Sequence, residues 1–356
     1  MSEVKGALLL GTEDVGKLLK KYATPAIIAM TASSLYNMVD SIFIGQGVGP
    51  LAISGLAITF PFMNLGAAIG AMVGVGASTV TAMELGKKNY SKSCRALANT
   101  IMLNVFFGII FTVVCLIFLK PILFFFGASE NTLPYAYEYM QVILLGNIIT
   151  HLYHGLNSVL RASGHPNEAM IATIITVLAN VFLDWLFIYP LDMGIRGAAI
   201  ATVIAQTLPL IYLFKIFSNK NELVHFDRKD FVFDIKIIKD ILAIGLSPFL
   251  LNTALCVIII LINKGLKEFG GDLSVGAYGI VNRVTFFFTM IVMGITQGMQ
   301  PIVSYNYGAR QFSRVTEALK KAIILAIITL SIGCFIGETI PRFVCRLFTT
   351  DNELLN

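Results

Sequence analysis

The stretch AMIATIITVLANVFLDWLFIY, residues 169–189, carries a single charged side chain, Asp184. An apolar run of about 20 residues, rising 1.5 Å per residue, crosses ~30 Å of hydrocarbon. Hydrocarbon offers no hydrogen-bond partners, so the backbone must satisfy itself as a helix. A carboxylate inside such a span costs roughly 2.5–3.5 kcal/mol on insertion scales, so Asp184 needs a reason to be there.

Similar runs recur at 23–46, 52–82, 97–119, 134–160, 195–217, 241–264, 273–305 and 320–340, giving about nine spans. With 56% hydrophobic and only 13% charged residues, the chain has too few polar groups to cover a water-soluble domain of this length. The fold class implied is an all-α, polytopic helical membrane bundle. The cysteines (Cys94, Cys115, Cys256, Cys334, Cys345) show neither metal nor disulfide spacing and read as apolar fillers. No cleavable signal peptide is expected, because the Lys-rich start leads into a span too long for one.

A net charge of +5 does not point to nucleic acid, because the basic residues sit in short loops between spans. Alternate loops differ sharply. One set holds Lys17, Lys20, Lys21, Lys87, Lys88, Lys92, Arg95, Arg161, the basic residues of 215–240, Arg310, Arg314, Lys320 and Lys321; the other holds only Lys120, Arg196, Lys264, Lys267, Arg342 and Arg346. The positive-inside rule places the N-terminus in the cytoplasm of a multi-pass protein of the cell membrane.

The longest polar stretch, 218–240, divides an N-terminal six-helix lobe (1–217) from a second lobe (241–356). A shift of about 222 residues aligns 51–97 with 273–319 without a gap, pairing Gly76 with Gly298 and Gly86 with Gly308. With six spans per repeat, the halves run parallel about an axis along the membrane normal. The second repeat would then extend to about residue 440. The chain is therefore expected to lack three C-terminal spans and to hold an incomplete second lobe of about three helices, a natural nine-span protein being the alternative.

Asp40 lies in the first span and Asp184 in the fifth, both in the outer half by this topology. Asn180 is one turn below Asp184 on the same face. Thr202 is a few residues inside the sixth span, and Tyr139 is near the outer start of the fourth. Oxygen-bearing side chains at one level of one lobe suit a proton or a hard cation such as Na⁺; hydrogen bonding of each Asp to a neighbouring helix is the plainer alternative. Asn147, His151, His154 and Asn157 form one polar stripe, compatible with a cavity wall or with interhelical bonds. Zinc at His151 and His154 is not expected, since no Cys or carboxylate accompanies them. Gly66, Gly70 and Gly74 read as close helix packing. Arg283 is deep, without an obvious acid partner, and either snorkels or faces an aqueous cleft. Pro25, on the same helix as Asp40, frees a backbone carbonyl and makes a bendable point.

These residues carry a resemblance. Asn37-x-x-Asp40-x-Ile42-Phe43-Ile44-Gly45, Glu84-Leu85-Gly86, Leu160-Arg161-Ala162-x-Gly164, Asn180-x-x-x-Asp184, Gly197-Ala198-Ala199-x-Ala201-Thr202 and Tyr278-x-Ile280-x-x-Arg283 together are similar to the multidrug and toxic compound extrusion (MATE) family. The resemblance implies twelve helices in two lobes, and export of amphipathic, often cationic compounds driven by inward H⁺ or Na⁺. It implies coupling at Asp40, Asn180, Asp184 and Thr202 with Tyr139 nearby, and a helix that bends at Pro25. Asn37, Asn147, His154, Asn157 and Arg283 are candidates for the substrate cavity. The protein is expected to act as a monomer in the bilayer, without a cofactor beyond the coupling ion. A lipid or lipid-linked oligosaccharide flippase of the same superfamily is the alternative. An enzyme is not expected, since no nucleophile–base set or acid-pair motif occurs in the spans.

Overall fold

The computed structural model describes residues 5–339, with the side chains of Lys5, Asn37 and much of 256–284 outside the described set. The helices are α1 (Lys5–Leu9), α2 (Val15–Gly47), α3 (Pro50–Gly86), α4 (Tyr90–Ile117), α5 (Leu119–Phe125), α6 (Leu133–Ala162), α7 (Pro166–Ile188), α8 (Gly194–Phe217), α9 (Ile235–Gly308) and α10 (Phe312–Thr339). Their starts are written in the sequence. Asp14, Asn89 and Asp234 cap α2, α4 and α9 by accepting from backbone N–H groups three residues on, and prolines open α3 and α7. Gly164 has a φ of 102° and lies against the backbone of Ala7, a turn and a close approach that both call for glycine.

Among the described residues, eight helical segments are long and apolar enough to cross a membrane: α2, α3, α4, α7, α8, Ile235–Leu255 and Thr285–Gly308 of α9, and α10. The 30-residue α6 is also long enough to cross. It follows α5, which packs beside Ile44 at the far end of α2, and it ends at the turn where Gly164 meets Ala7. Its polar stripe lowers its hydropathy. The end carrying the N-terminus is called the near end below.

The 74-residue α9 would be about 111 Å long if straight, more than three times the thickness of the hydrocarbon. Ile241 nevertheless lies against Gly76 and Gly308 against Met83, α3 positions only about 10 Å apart along the axis. The run therefore doubles back as two arms, the spans expected at 241–264 and 273–305.

The two halves repeat each other's packing. Gly86 sits on the backbone of Tyr305 and Gly308 on that of Met83, and the shift of about 222 residues turns one contact into the other. Gly76 on Ile241 likewise becomes Gly298 on Ala23, and Gly245 on Met72 becomes Ile27 under Gly294, when the first spans of the halves are aligned about 218 residues apart. Contacts that exchange in this way lie about a two-fold pseudo-axis. Both first spans begin at the near end, so the axis runs along the membrane normal.

Between α8 and α9 the chain is docked across the near end. Asn99 donates to the Val232 carbonyl and accepts from the Asp234 N–H, Cys94 approaches the Leu223 carbonyl, and Glu222 meets His165 Nε2 at 3.0 Å. Burial alone would lower the pKa of His165, but the Glu168 and Glu222 carboxylates outweigh it and hold the value above its ordinary one. A His raised in the folded state adds stability that is full below its unfolded pKa of about 6.5 and is lost as pH rises through the folded value. Cleavage at Lys220, Arg228 or Lys229 by trypsin should accordingly accelerate as pH rises, relative to a His165→Gln control cut under the same conditions. A constant ratio between the two proteins would show that the imidazole does not hold this segment.

Candidate ion-coupling site

Four helices meet around a buried carboxyl pair. α2 supplies Asp40 and packs along α7, which supplies Asp184; α8 covers α7, and α6 packs on α8. Asp184 is fully buried and Asp40 is 7% exposed, and the two carboxyls lie within side-chain hydrogen-bonding reach of one another. Asp40 Oδ1, both oxygens of Asp184 and Asn180 Oδ1 receive no hydrogen bond. Buried carboxylates left this way are costly, and two side by side repel. A proton held between them, or a cation drawn to both, supplies the missing partner.

The remaining oxygens gather at the same level. Asn180 donates from Nδ2 to Thr202 Oγ1 at 3.4 Å, and Thr202 donates to the Ala198 carbonyl at 3.1 Å. Tyr139 is buried with its hydroxyl beside Thr202 and within electrostatic reach of both carboxyls. The structure therefore brings Asp40, Asn180, Asp184, Thr202 and Tyr139 together. It adds Tyr36, close to Asp40 and Asp184, which the sequence reading passed over. Tyr36 precedes Asp40 by one helical turn, and that spacing was the available signal. The set is all oxygen, which fits a proton or Na⁺ and offers nothing to a softer metal.

The α6 stripe divides by role. His151 is fully buried, with Nε2 2.9 Å from the Gly66 carbonyl; a Cβ at Gly70 would come within 2.9 Å of its ring. Asn157 donates to the Ala169 carbonyl at 2.9 Å and accepts from Arg161. Both tie helices together. Asn147 is buried, with no acceptor for Nδ2. His154 is exposed on α6. Arg161, assigned to a loop from sequence, occupies the last turn of α6 and folds back onto Asn157 and Ser158. The side chains of Asn37 and Arg283 lie outside the described residues. Pro25 is buried within α2, which stays helical through it. Surface hollows of about 470 Å³ beside Glu130 and about 410 Å³ beside Lys20 lie away from the pair.

The model of the MatE family matches residues 25–186 and 243–356. The chain belongs to that family. A MATE relative, the multidrug export protein MepA of Staphylococcus haemolyticus, is 27% identical over 339 residues, 95% of this chain and 75% of its own length. A multidrug resistance MATE transporter of the MOP superfamily, solved in an outward-facing conformation, superposes with a TM-score of 0.91 at 27% identity, covering 97% of this chain and 76% of that one. A MOP superfamily transporter from Pyrococcus furiosus, described as having a binding pocket of reverse polarity, gives 0.92 at 26% identity, covering 99% and 78%. This MATE chain is thus a multi-pass membrane transporter, and its nearly isolated buried carboxyls are the chemistry that such a protein has to explain.

Proposed function

We propose that the protein exports amphipathic, often cationic organic compounds across the cytoplasmic membrane in exchange for H⁺ or Na⁺, and that Asp40 and Asp184 bind the coupling ion. The observation that carries this reading is the adjacency of the two carboxyls with unanswered oxygens in the middle of an apolar bundle. The near end is cytoplasmic on the loop-charge argument. An ion arriving from outside neutralises the pair, removes the repulsion between α2 and α7, and allows α2 to bend at Pro25. The cavity bounded by α2, α6, α7 and α8 then shrinks and its occupant leaves outward. Return of the ion to the cytoplasm restores the repulsion and the cavity. His154 and Asn147 are the polar contacts this wall offers a substrate, and the export names of its relatives favour drugs over lipid cargo.

The test uses the whole chain in sealed proteoliposomes loaded with a cationic dye. An imposed H⁺ or Na⁺ gradient, directed opposite to dye flow, should speed efflux about tenfold over the gradient-free rate, which corresponds to ~1.4 kcal/mol of drive delivered to the rate-limiting step. Efflux indifferent to both gradients would overturn ion coupling.

A further inference from the structure

The near end of the bundle is shut by backbone. A Cβ added to Gly76 would overlap the carbonyl of Ile241; at Gly245 it would overlap that of Met72, at Gly86 that of Tyr305, and at Gly308 that of Met83. At Gly298 and Gly294 it would strike the backbones of Ala23 and Ile27. Backbone in a packed seam cannot step aside as the tip of a side chain can. Each glycine within a helix costs about 1 kcal/mol against alanine, a penalty that close helix approach offsets.

Amides complete the seam. Gln300 Nε2 lies 2.7 Å from Thr79 Oγ1, 2.9 Å from Ser78 Oγ and 3.0 Å from the Val75 carbonyl, and donates among them. Ser78 and Gln300 are equivalent positions under the shift of about 222 residues, so this bond crosses the pseudo-axis itself. Below it, Asn306 donates to the Leu10 carbonyl at 2.9 Å, and Arg314 donates to Asn306 Oδ1 and to the carbonyls of Leu10 and Glu13. All of these contacts fall on residues 10–30, 72–86 and the ends of α9 and α10, away from the carboxyl pair.

One detail joins the seam to the site. Ala23 and Ile27, the seats of Gly298 and Gly294, flank Pro25 on either side. We propose that the Pro25 hinge and the near-end gate are one device: the glycine pairs and Gln300 hold the gate shut while the occupant leaves outward, and the bent, ion-bound α2 then unseats Gly294 and Gly298 so that the ion is released at the near end. The second half of this statement rests on the coupling role given to Asp40 and Asp184. The titratable groups facing that pair are Tyr36 on α2 and Tyr139 on α6, so the carboxyls are the groups that an acid shift addresses.

The gate is tested on the full chain in liposomes by maleimide labelling of a Thr79→Cys reporter, resolved by peptide mapping. Exposed native Cys334 on α10 serves as the internal standard. The reporter should be protected in the parent. Gly76→Val and Gly298→Val should raise its relative labelling rate at least about tenfold, equivalent to ~1.4 kcal/mol against closure, and Gly337→Ala, with no neighbour to meet, should not. Gln300→Leu adds no bulk and should also raise it, so the test survives misfolding of a valine variant. Parent-like protection in both Gln300→Leu and Gly298→Val overturns the gate. Acid or Na⁺ should raise labelling in the parent and not in Pro25→Ala. If the glycine variants open and the parent ignores both ions, the gate stands while the coupling role and its link to the hinge fall.

Discussion

Asp184→Asn protein should insert and fold as its parent does, melt at a higher temperature, and show no gradient-driven efflux. Asparagine keeps the size of the side chain and removes both the charge and the exchangeable proton. Neither oxygen of Asp184 has a donor in the parent, so the change relieves a buried unpaired group worth about 1–3 kcal/mol, and stability rises. Driving a two-state equilibrium from one side to the other takes about 5.5 kcal/mol of differential ion binding. An amide cannot supply that, so efflux should drop at least ~100-fold while dye binding stays close to the parent's. Asp40→Asn should behave alike, and the double variant should be no worse than either single one, because the two carboxyls act as one unit. Paired thermal melts and vesicle efflux assays decide the matter. An Asp184→Asn protein that still answers the gradient would place coupling elsewhere.

The second large effect is expected at Pro25. Proline has no N–H, so the Lys21 carbonyl, one turn earlier, lacks its helical partner and the helix bends there at little cost. Alanine restores the bond, worth about 0.5–1.5 kcal/mol net and more in apolar surroundings, and every bend must then break it. Each 1.4 kcal/mol is a factor of ten, so turnover should fall about tenfold, with KM little changed because no substrate contact is touched. Initial rates over a range of dye concentrations separate the two parameters. Unchanged turnover would mean that α2 does not bend at this residue during the cycle.

Much of the fold was legible because lipid enforces it. Runs near 20 residues, basic loops and isolated carboxyls are local signals, and they located the spans and the matching depth of Asp40 and Asp184. Features that depend on three-dimensional approach were not legible. Arg161 read as a loop charge because its return onto Asn157 depends on where α6 ends. Tyr36 has a partly apolar side chain in an apolar run, and only its spacing from Asp40 sets it apart. The stripe on α6 left two readings open, and geometry assigned His151 and Asn157 to bonds between helices. The repeat was visible through Gly76 and Gly86 against Gly298 and Gly308. Its different offset for the first spans, about one helical turn, emerged only from the contacts of Ala23 and Ile27.

The seam around Gln300 has an electrical consequence. Glycine, backbone carbonyl, amide and hydroxyl groups meet there, and none of them carries net charge. A full elementary charge moved through the membrane exchanges about 2.3 kcal/mol with each 100 mV of potential. Groups without net charge exchange almost nothing, so opening and closing this seam contributes no gating current. Voltage therefore acts on the transport cycle through charged species such as the ion at the Asp40–Asp184 pair and the cargo, and not through the contacts of Gln300.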